Sequence, residues 1–441
     1  MFKKIISPKA TQRERVSWYF YDFGNSAYAA VVLLAVYSAY FKGQVVGGAE
    51  GSRLWGVAIG IAMLLVAISS PVLGTIADFS KIKKKILFFY TIMCCLATAS
   101  LFFVQAGDIF LGMLLFIVAE FSYRSAQVYY NSLLPDIATP EEMGHVSGNG
   151  WAVGSVGGVV CLLIVLALIQ TIGGTIVVRL SFIITAIFFI LSSLPLFFFI
   201  KERGQSNTLP KGENIFGLAF KRLAVTAKEV RNYKQFVKFI IAFLIYNDGI
   251  IMTMNFAAIL GAVLFGMDQQ QLIIFMIVVQ LTSIVGAFLF GNIADHFGGK
   301  ITLVISLFIM IGAVVWMIFN YSLTVFFIIG GIAGFALTGV QSVSRTMVGQ
   351  LSPENKSAEF YGFFAVAGRT SSFIGPTLYG IVAAEAALYF ERSGLTKLIA
   401  EQTGQRYALA SVIVFLLVGL IILITVNLKK SDIDTQMAAQ V

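Results

Sequence analysis

The chain has 441 residues, of which 58% are apolar, 14% aromatic and only 12% charged, and its 31 Lys and Arg against 22 Asp and Glu give a formal net charge of +9. With a mean hydropathy of +0.87, this excludes a soluble globule, in which about a quarter of the residues are charged. The apolar residues form runs near or above the roughly 18 that cross a bilayer as a helix. They do not form the segments of about 10 alternating residues that build a membrane barrel, so the expected fold class is an all-α integral membrane protein.

The first nine residues, Met1 to Lys9, hold an apolar core too short for a secretory signal, and the first span is expected to do the targeting itself. Spans are expected at roughly 16–41, 54–77, 86–105, 109–133, 146–170 and 178–200. A polar stretch rich in Lys and Arg follows, and within it Ile215 to Leu223 has the pattern of a basic amphipathic helix lying on the lipid surface, with a plain solvated linker as the alternative. Six further spans are expected at roughly 236–264, 270–294, 300–320, 323–348, 359–386 and 407–428. The expected organisation is therefore twelve transmembrane helices: an N-terminal six-helix bundle over 1–200, a cytoplasmic basic linker over 201–235 and a C-terminal six-helix bundle over 236–441.

Two repeats support this division. Gly74-Thr-Ile-Ala-Asp78 recurs as Gly291-Asn-Ile-Ala-Asp295 about half a chain length later, each copy closing an apolar run. Thr139-Pro140-Glu141 after span 4 is echoed by Ser352-Pro353-Glu354 after span 10. Halves related in this way point to a transporter with its site between them. Lys3, Lys4, Lys9, Arg13, Arg15, Lys81, Lys83, Lys84, Lys85, the linker, Lys300, Lys356, Lys429 and Lys430 fall on one side. The other side holds Lys42, Arg53, Arg179, Arg392, Lys397 and Arg406. By the positive-inside rule both termini are expected in the cytoplasm of a multi-pass protein of the cell membrane, and the positive charge calls for anionic lipid rather than a nucleic acid.

Several chemistries are missing. There is no phosphate-binding Gly-x-x-x-x-Gly-Lys-Ser/Thr loop, the three cysteines Cys94, Cys95 and Cys161 lie in apolar runs, and the only histidines, His145 and His296, fall in expected loops. No enzyme, cofactor or metal site is expected from this set.

Charges inside spans are the candidate functional residues, since one at a helix centre costs about 2.5–3.5 kcal/mol on insertion scales and needs a partner, a cavity or a role. They are Asp22, Glu120, Arg124, Asp248, Arg345 and Arg369. Glu120 and Arg124 stand four apart and can pair along one helix face, either as a structural pair or with Arg124 holding a substrate carboxylate. Asp248 lies near the middle of its span with no basic residue within a turn; it is either a protonatable coupling residue or the partner of an arginine such as Arg369. Asp22 forms a polar stripe with Tyr21, Asn25 and Tyr28.

The pattern Gly74-x-x-x-Asp78 with Lys81, Lys83, Lys84 and Lys85, repeated as Gly291-x-x-x-Asp295-x-x-Gly298-Gly299-Lys300, resembles the loop motif of the major facilitator superfamily. The resemblance implies two pseudo-symmetric six-helix bundles and a conformational latch at Gly74, Asp78, Gly291 and Asp295, although Phe79 and Ser80 depart from the motif in the first copy. Four further segments carry a narrower resemblance: Trp18 to Tyr28, Tyr130 to Ile137, Tyr246-Asn247-Asp248-Gly249, and Gly339-Val-Gln341-Ser-Val-Ser344-Arg345. Together with Glu359-Phe360-Tyr361-Gly362-Phe363, they resemble the branch related to the autophagy-associated vacuolar amino-acid effluxers and their bacterial relatives. Arg124-x-x-Gln127 echoes a proton-linked motif of that superfamily, with Val128 in place of its usual glycine. The branch implies secondary active efflux of small amino acids by alternating access with proton coupling, by a monomer whose partners are a small solute, protons and the bilayer. The cavity would be lined by spans 1, 4, 7 and 10, which makes Asn247 and Gln341 site residues beside the buried charges. A lipid flippase, or a carrier of peptides or sugars on the same fold, is the alternative.

Overall fold

The computed structural model describes residues 10–79, 82–138, 143–203, 215–351 and 372–427, with helical residues at 360, 363–364 and 367–368. Among the described residues, eleven helices are long and apolar enough to cross a membrane. Spans 1 to 4 are Gln12–Val46, Gly48–Ile76, Lys83–Phe103 and Ile109–Ser132. Spans 5 and 6 are the helices Met143–Ile172 and Thr175–Phe199. Spans 7 to 10 are Lys234–Phe265, Gln269–Phe297, Gly299–Phe319 and Leu323–Leu351, and span 12 is Lys397–Ile424. The eleventh expected span lies partly outside the described residues; its described helix is Ile374–Arg392. A further helix, Ile215–Val230, lies in the stretch between spans 6 and 7.

The helix ends follow local chemistry. Thr11 and Glu14 form a capping box at the start of span 1, as Asp268 and Gln271 do at the start of span 8, each satisfying backbone N–H groups that have no helical partner. Gly266 closes span 7 at φ 63°, and Gly298 joins spans 8 and 9 at φ 85°, a conformation that disfavours any side chain. Span 12 starts ten residues before the expected 407. Its first turns are polar, but Glu401, Gln405 and Arg406 find partners there: Lys42, Ser52 and Tyr379, and the carbonyls of Met317, Ile318 and Asn320 that end span 9. Span 1 departs from α-helical pitch twice, being π-helical over Ala29–Ala35 and again over Phe41–Val46.

The chain divides into two compact units. The first contains residues up to Tyr40 and Ile68–Phe220; the second contains Phe41–Ala67 and everything from Lys221 on. Within the first, span 1 packs on spans 5 and 6, and span 3 on spans 4 and 6. Within the second, span 7 packs on spans 11 and 12, span 9 on spans 10 and 12, and span 8 on span 10. The pairings of spans 1 with 5, 1 with 6, 3 with 4 and 3 with 6 therefore recur as 7 with 11, 7 with 12, 9 with 10 and 9 with 12, as a duplicated unit requires.

Glycines on span 5 set the closeness of the first contact. A Cβ on Gly157 would collide with the Phe23 carbonyl, and one on Gly150 would collide with the Trp18 ring. The core behind span 1 is aromatic: Tyr130 stacks on Trp18 at 4.3 Å and on Tyr21 at 4.8 Å, while Phe189 meets Tyr21 edge-on.

Candidate functional site

In the first unit the candidate residues come from spans 1 and 4. Glu120 is fully buried, and its Oε1 accepts a hydrogen bond from Arg124 Nε at 2.8 Å. Arg124 remains about one-third exposed, with its guanidinium carbon 5.1 Å from the centre of the Tyr123 ring. Because Glu120 takes the Nε proton, the two terminal nitrogens keep their fork, the geometry that matches a carboxylate. Beside this pair, Tyr28 is buried with its ring 4.7 Å from that of Tyr123. The Tyr28 hydroxyl, Glu120 Oε2 and Asn25 Oδ1 are buried polar atoms without hydrogen-bond partners. A substrate or ordered water would supply what they lack.

The polar stripe on span 1 does not act as one face. Asp22 accepts a long contact from the Asn25 amide at 3.5 Å and turns towards span 5, where a Cβ on Gly154 would come within 2.7 Å of its carboxylate. Tyr21 turns towards span 3: its hydroxyl meets Thr91 Oγ1 at 2.9 Å, and the residue is fully buried among aromatic rings.

In the second unit, span 7 is joined to span 10 through two adjacent positions. The Tyr246 hydroxyl meets Ser344 Oγ at 2.8 Å, and Asn247 Oδ1 accepts from Gln341 Nε2 at 3.3 Å. Asp248, the next residue, is 3% exposed and makes no ion pair among the described residues. It faces span 11, where a Cβ on Gly375 would lie 3.0 Å from the Asp248 carbonyl. The Gly375 backbone N–H, one of those at the start of the helix Ile374–Arg392 that lack a helical acceptor, points to the carboxylate. Oδ1 has no partner. Arg345 is exposed on span 10. Arg369 lies outside the described residues.

The loop motif is seen through its lysines. Lys84 Nζ donates to the Ile200 carbonyl at 2.6 Å, and Lys300 Nζ donates to the carbonyls of Ile424 at 2.7 Å and Val426 at 2.6 Å. Each thus caps the C-terminal end of the sixth helix of its half, a role for which the sequence carries no local signal. The Glu202 carboxylate accepts from the backbone N–H groups of Lys83 and Lys84 and so caps span 3. Gly74 has open space where a Cβ would sit. The side chains of Asp78 and Asp295, and the surroundings of Gly291, lie outside the described residues.

Residues 56–436 match the family described as vacuole effluxer Atg22 like. This chain belongs to that Atg22-like family. It is 30% identical over 386 residues to the MFS-type transporter YxiO of Bacillus subtilis (strain 168), a match covering 85% of this chain and 89% of the relative. It is 23% identical over 412 residues to autophagy-related protein 22 of Yarrowia lipolytica, covering 73% of this chain and 69% of the relative. Among solved structures, a mutant form of the nucleoside transporter NupG superposes with a TM-score of 0.71 at 14% identity, covering 93% of this chain and 99% of NupG. A bacterial homologue of the human lysosomal transporter Spinster, inward-facing and unoccupied, gives 0.68 at 16% identity over 93% and 95% of the two chains. These structures share the fold. The Atg22-like chain is thus an all-α, multi-pass transporter of the major facilitator type and not an enzyme.

Proposed function

We propose that this Atg22-like chain exports small zwitterionic solutes, amino acids first among them, from the cytoplasm across the cell membrane by proton-coupled alternating access. The observation that carries the reading is the Glu120–Arg124 pair. A fully buried acid holds the arginine by Nε and leaves its terminal nitrogens unpaired among the described residues, which suits a free carboxylate. Asp22 in the same unit is the acid for the substrate ammonium, and the unpartnered oxygens of Asn25, Tyr28 and Glu120 complete its polar surroundings. Asp248 carries the proton, being a buried acid without a countercharge among the described residues. The termini lie in the cytoplasm, on the side of Lys83, Lys84 and Lys300, and the chain works as a monomer.

The test is efflux of labelled amino acids from proteoliposomes with and without a proton gradient. Saturable flux that follows the gradient in the unaltered chain, and loses that dependence in Asp248→Asn, is the expected result. Arg124→Lys keeps the charge but removes the fork, and is expected to raise the half-saturating concentration about tenfold, or ~1.4 kcal/mol. Absence of flux for every amino acid, with scrambling of lipid or flux of sugars or peptides instead, would replace this reading with the flippase or another solute.

A further inference from the structure

The outer ends of spans 1 and 2 form a hairpin, Phe41–Ala67, that belongs to the second unit although its two helices begin and end in the first. Polar contacts hold it there. Lys42, 7% exposed, pairs with Glu401 of span 12 at 2.5 Å, and Arg53 pairs with Glu385 of span 11. Ser52 Oγ accepts from Gln405 Nε2 at 2.8 Å, and Gln405 Oε1 accepts from the Tyr379 hydroxyl at 3.0 Å. Trp55 Nε1 donates to the Asn255 carbonyl of span 7 at 3.0 Å.

The backbone contact beneath these groups is with span 11. A Cβ on Gly56 would collide with the Pro376 carbonyl and one on Gly60 with Thr377 Oγ1, while one on Gly380 would lie 2.6 Å from the Ser52 carbonyl. The chain entering the hairpin is π-helical, and the chain leaving it runs into Ser69-Ser70-Pro71. Both are places where a helix bends with little loss.

The same turn of span 11 that receives the hairpin also receives Asp248. Residues 372 and 373 form a turn, and the helix restarts at Ile374 with Pro376 in its first turn, where the missing proline N–H leaves no helical bond unmade. Gly375 faces Asp248, and its neighbour Pro376 faces Gly56. We propose that Asp248 controls the hairpin through this turn: the ionised carboxylate anchors Gly375 and keeps the hairpin clasped, and its neutralisation lets residues 374–380 shift and frees Phe41–Ala67 from the rest of the second unit. The proposal rests on the reading of Asp248 as the proton carrier.

Other charges facing Asp248 do not supply this control. On span 12 the described charges Lys397, Glu401 and Arg406 stand at the outer end, as do Glu385, Glu391 and Arg392 on span 11. Span 10 offers Arg345, which is exposed, while span 8 offers Asp268 at its start and His296 at its end. Titratable Tyr246 and Tyr379 are already bonded to Ser344 and Gln405. Arg369 lies outside the described residues.

The experiment is labelling of Ser52→Cys by a membrane-impermeant maleimide in the full-length chain; the three native cysteines are buried and give little background. Labelling is expected to rise several-fold when Asp248→Asn is added, and likewise with Gly375→Ala, whose methyl would press on Asp248. Lys42→Gln should raise it whatever stands at 248. If Lys42→Gln exposes position 52 while Asp248→Asn and Gly375→Ala, both eluting as folded protein, leave it as protected as before, the link through span 11 is overturned. Labelling needs no transported solute, so its rise stands even where amino-acid flux fails. Conversely, a chain whose flux loses proton dependence in Asp248→Asn without any change in labelling keeps the coupling residue and loses this inference.

Discussion

Tyr21 and Arg124 show how a single side chain's direction decides its role. Both are polar residues in apolar spans, yet Tyr21 ends on Thr91 among stacked rings, whereas Arg124 is held by Glu120 with its fork unspent. Tyr21→Phe should therefore leave transport intact and lower stability by about 1 kcal/mol, the worth of one buried hydrogen bond, measured as a fall in the thermal unfolding midpoint of the purified protein. A loss of flux without that fall would return Tyr21 to the substrate site. The Glu120–Arg124 pair was legible in sequence because spacing of four on a helix is enough to bring two side chains together. The divergence of Tyr21 from Asp22 was not: periodicity assigns residues to a face, but which neighbour that face meets depends on helices far away in sequence. The fit of Asp22 against Gly154 is of the same kind, since the glycines of span 5 announce close contact without naming what comes close.

The helices themselves could be read with ends good to a few residues wherever apolar runs stop at Gly, Pro or charge. Span 12 escaped because its first turns are polar and gain their stability from partners on spans 1, 2, 9 and 11. The capping lysines also escaped. Lys300 satisfies two carbonyls at the end of span 12 and places its charge at the negative end of that helix. Lys300→Met should lower stability by about 1 kcal/mol, visible as faster hydrogen exchange over residues 420–427. Exchange unchanged in that segment would mean that solvent caps the helix equally well. The matching position of Lys84 on span 6 gives the basic run of the loop motif a structural duty within each half, apart from any latch made by its aspartates.

For the whole molecule, the duplication and the major facilitator fold follow from repeats and hydropathy alone, and both the relatives and the solved structures agree with them. The boundaries of the two compact units could not be read that way, because they cut through the middle of spans 1 and 2, where the sequence has no linker. One expectation follows for a fragment ending at Arg203: it carries Phe41–Ala67 without the partners of that hairpin, so brief proteolysis should nick it between 41 and 67 while the full chain resists there. Equal resistance would show that the hairpin is stable by itself. The pitch of span 1 also reaches beyond its own length. A π-helical stretch holds more residues in each turn than an α-helix does, so deleting one residue from Ala29–Ala35 would restore ordinary winding only by swinging everything before it through about 100° relative to everything after. Span 1 is thus set out of phase with itself, and that offset is what allows one continuous helix to present Tyr21 and Asn25 correctly at one end and Lys42 at the other.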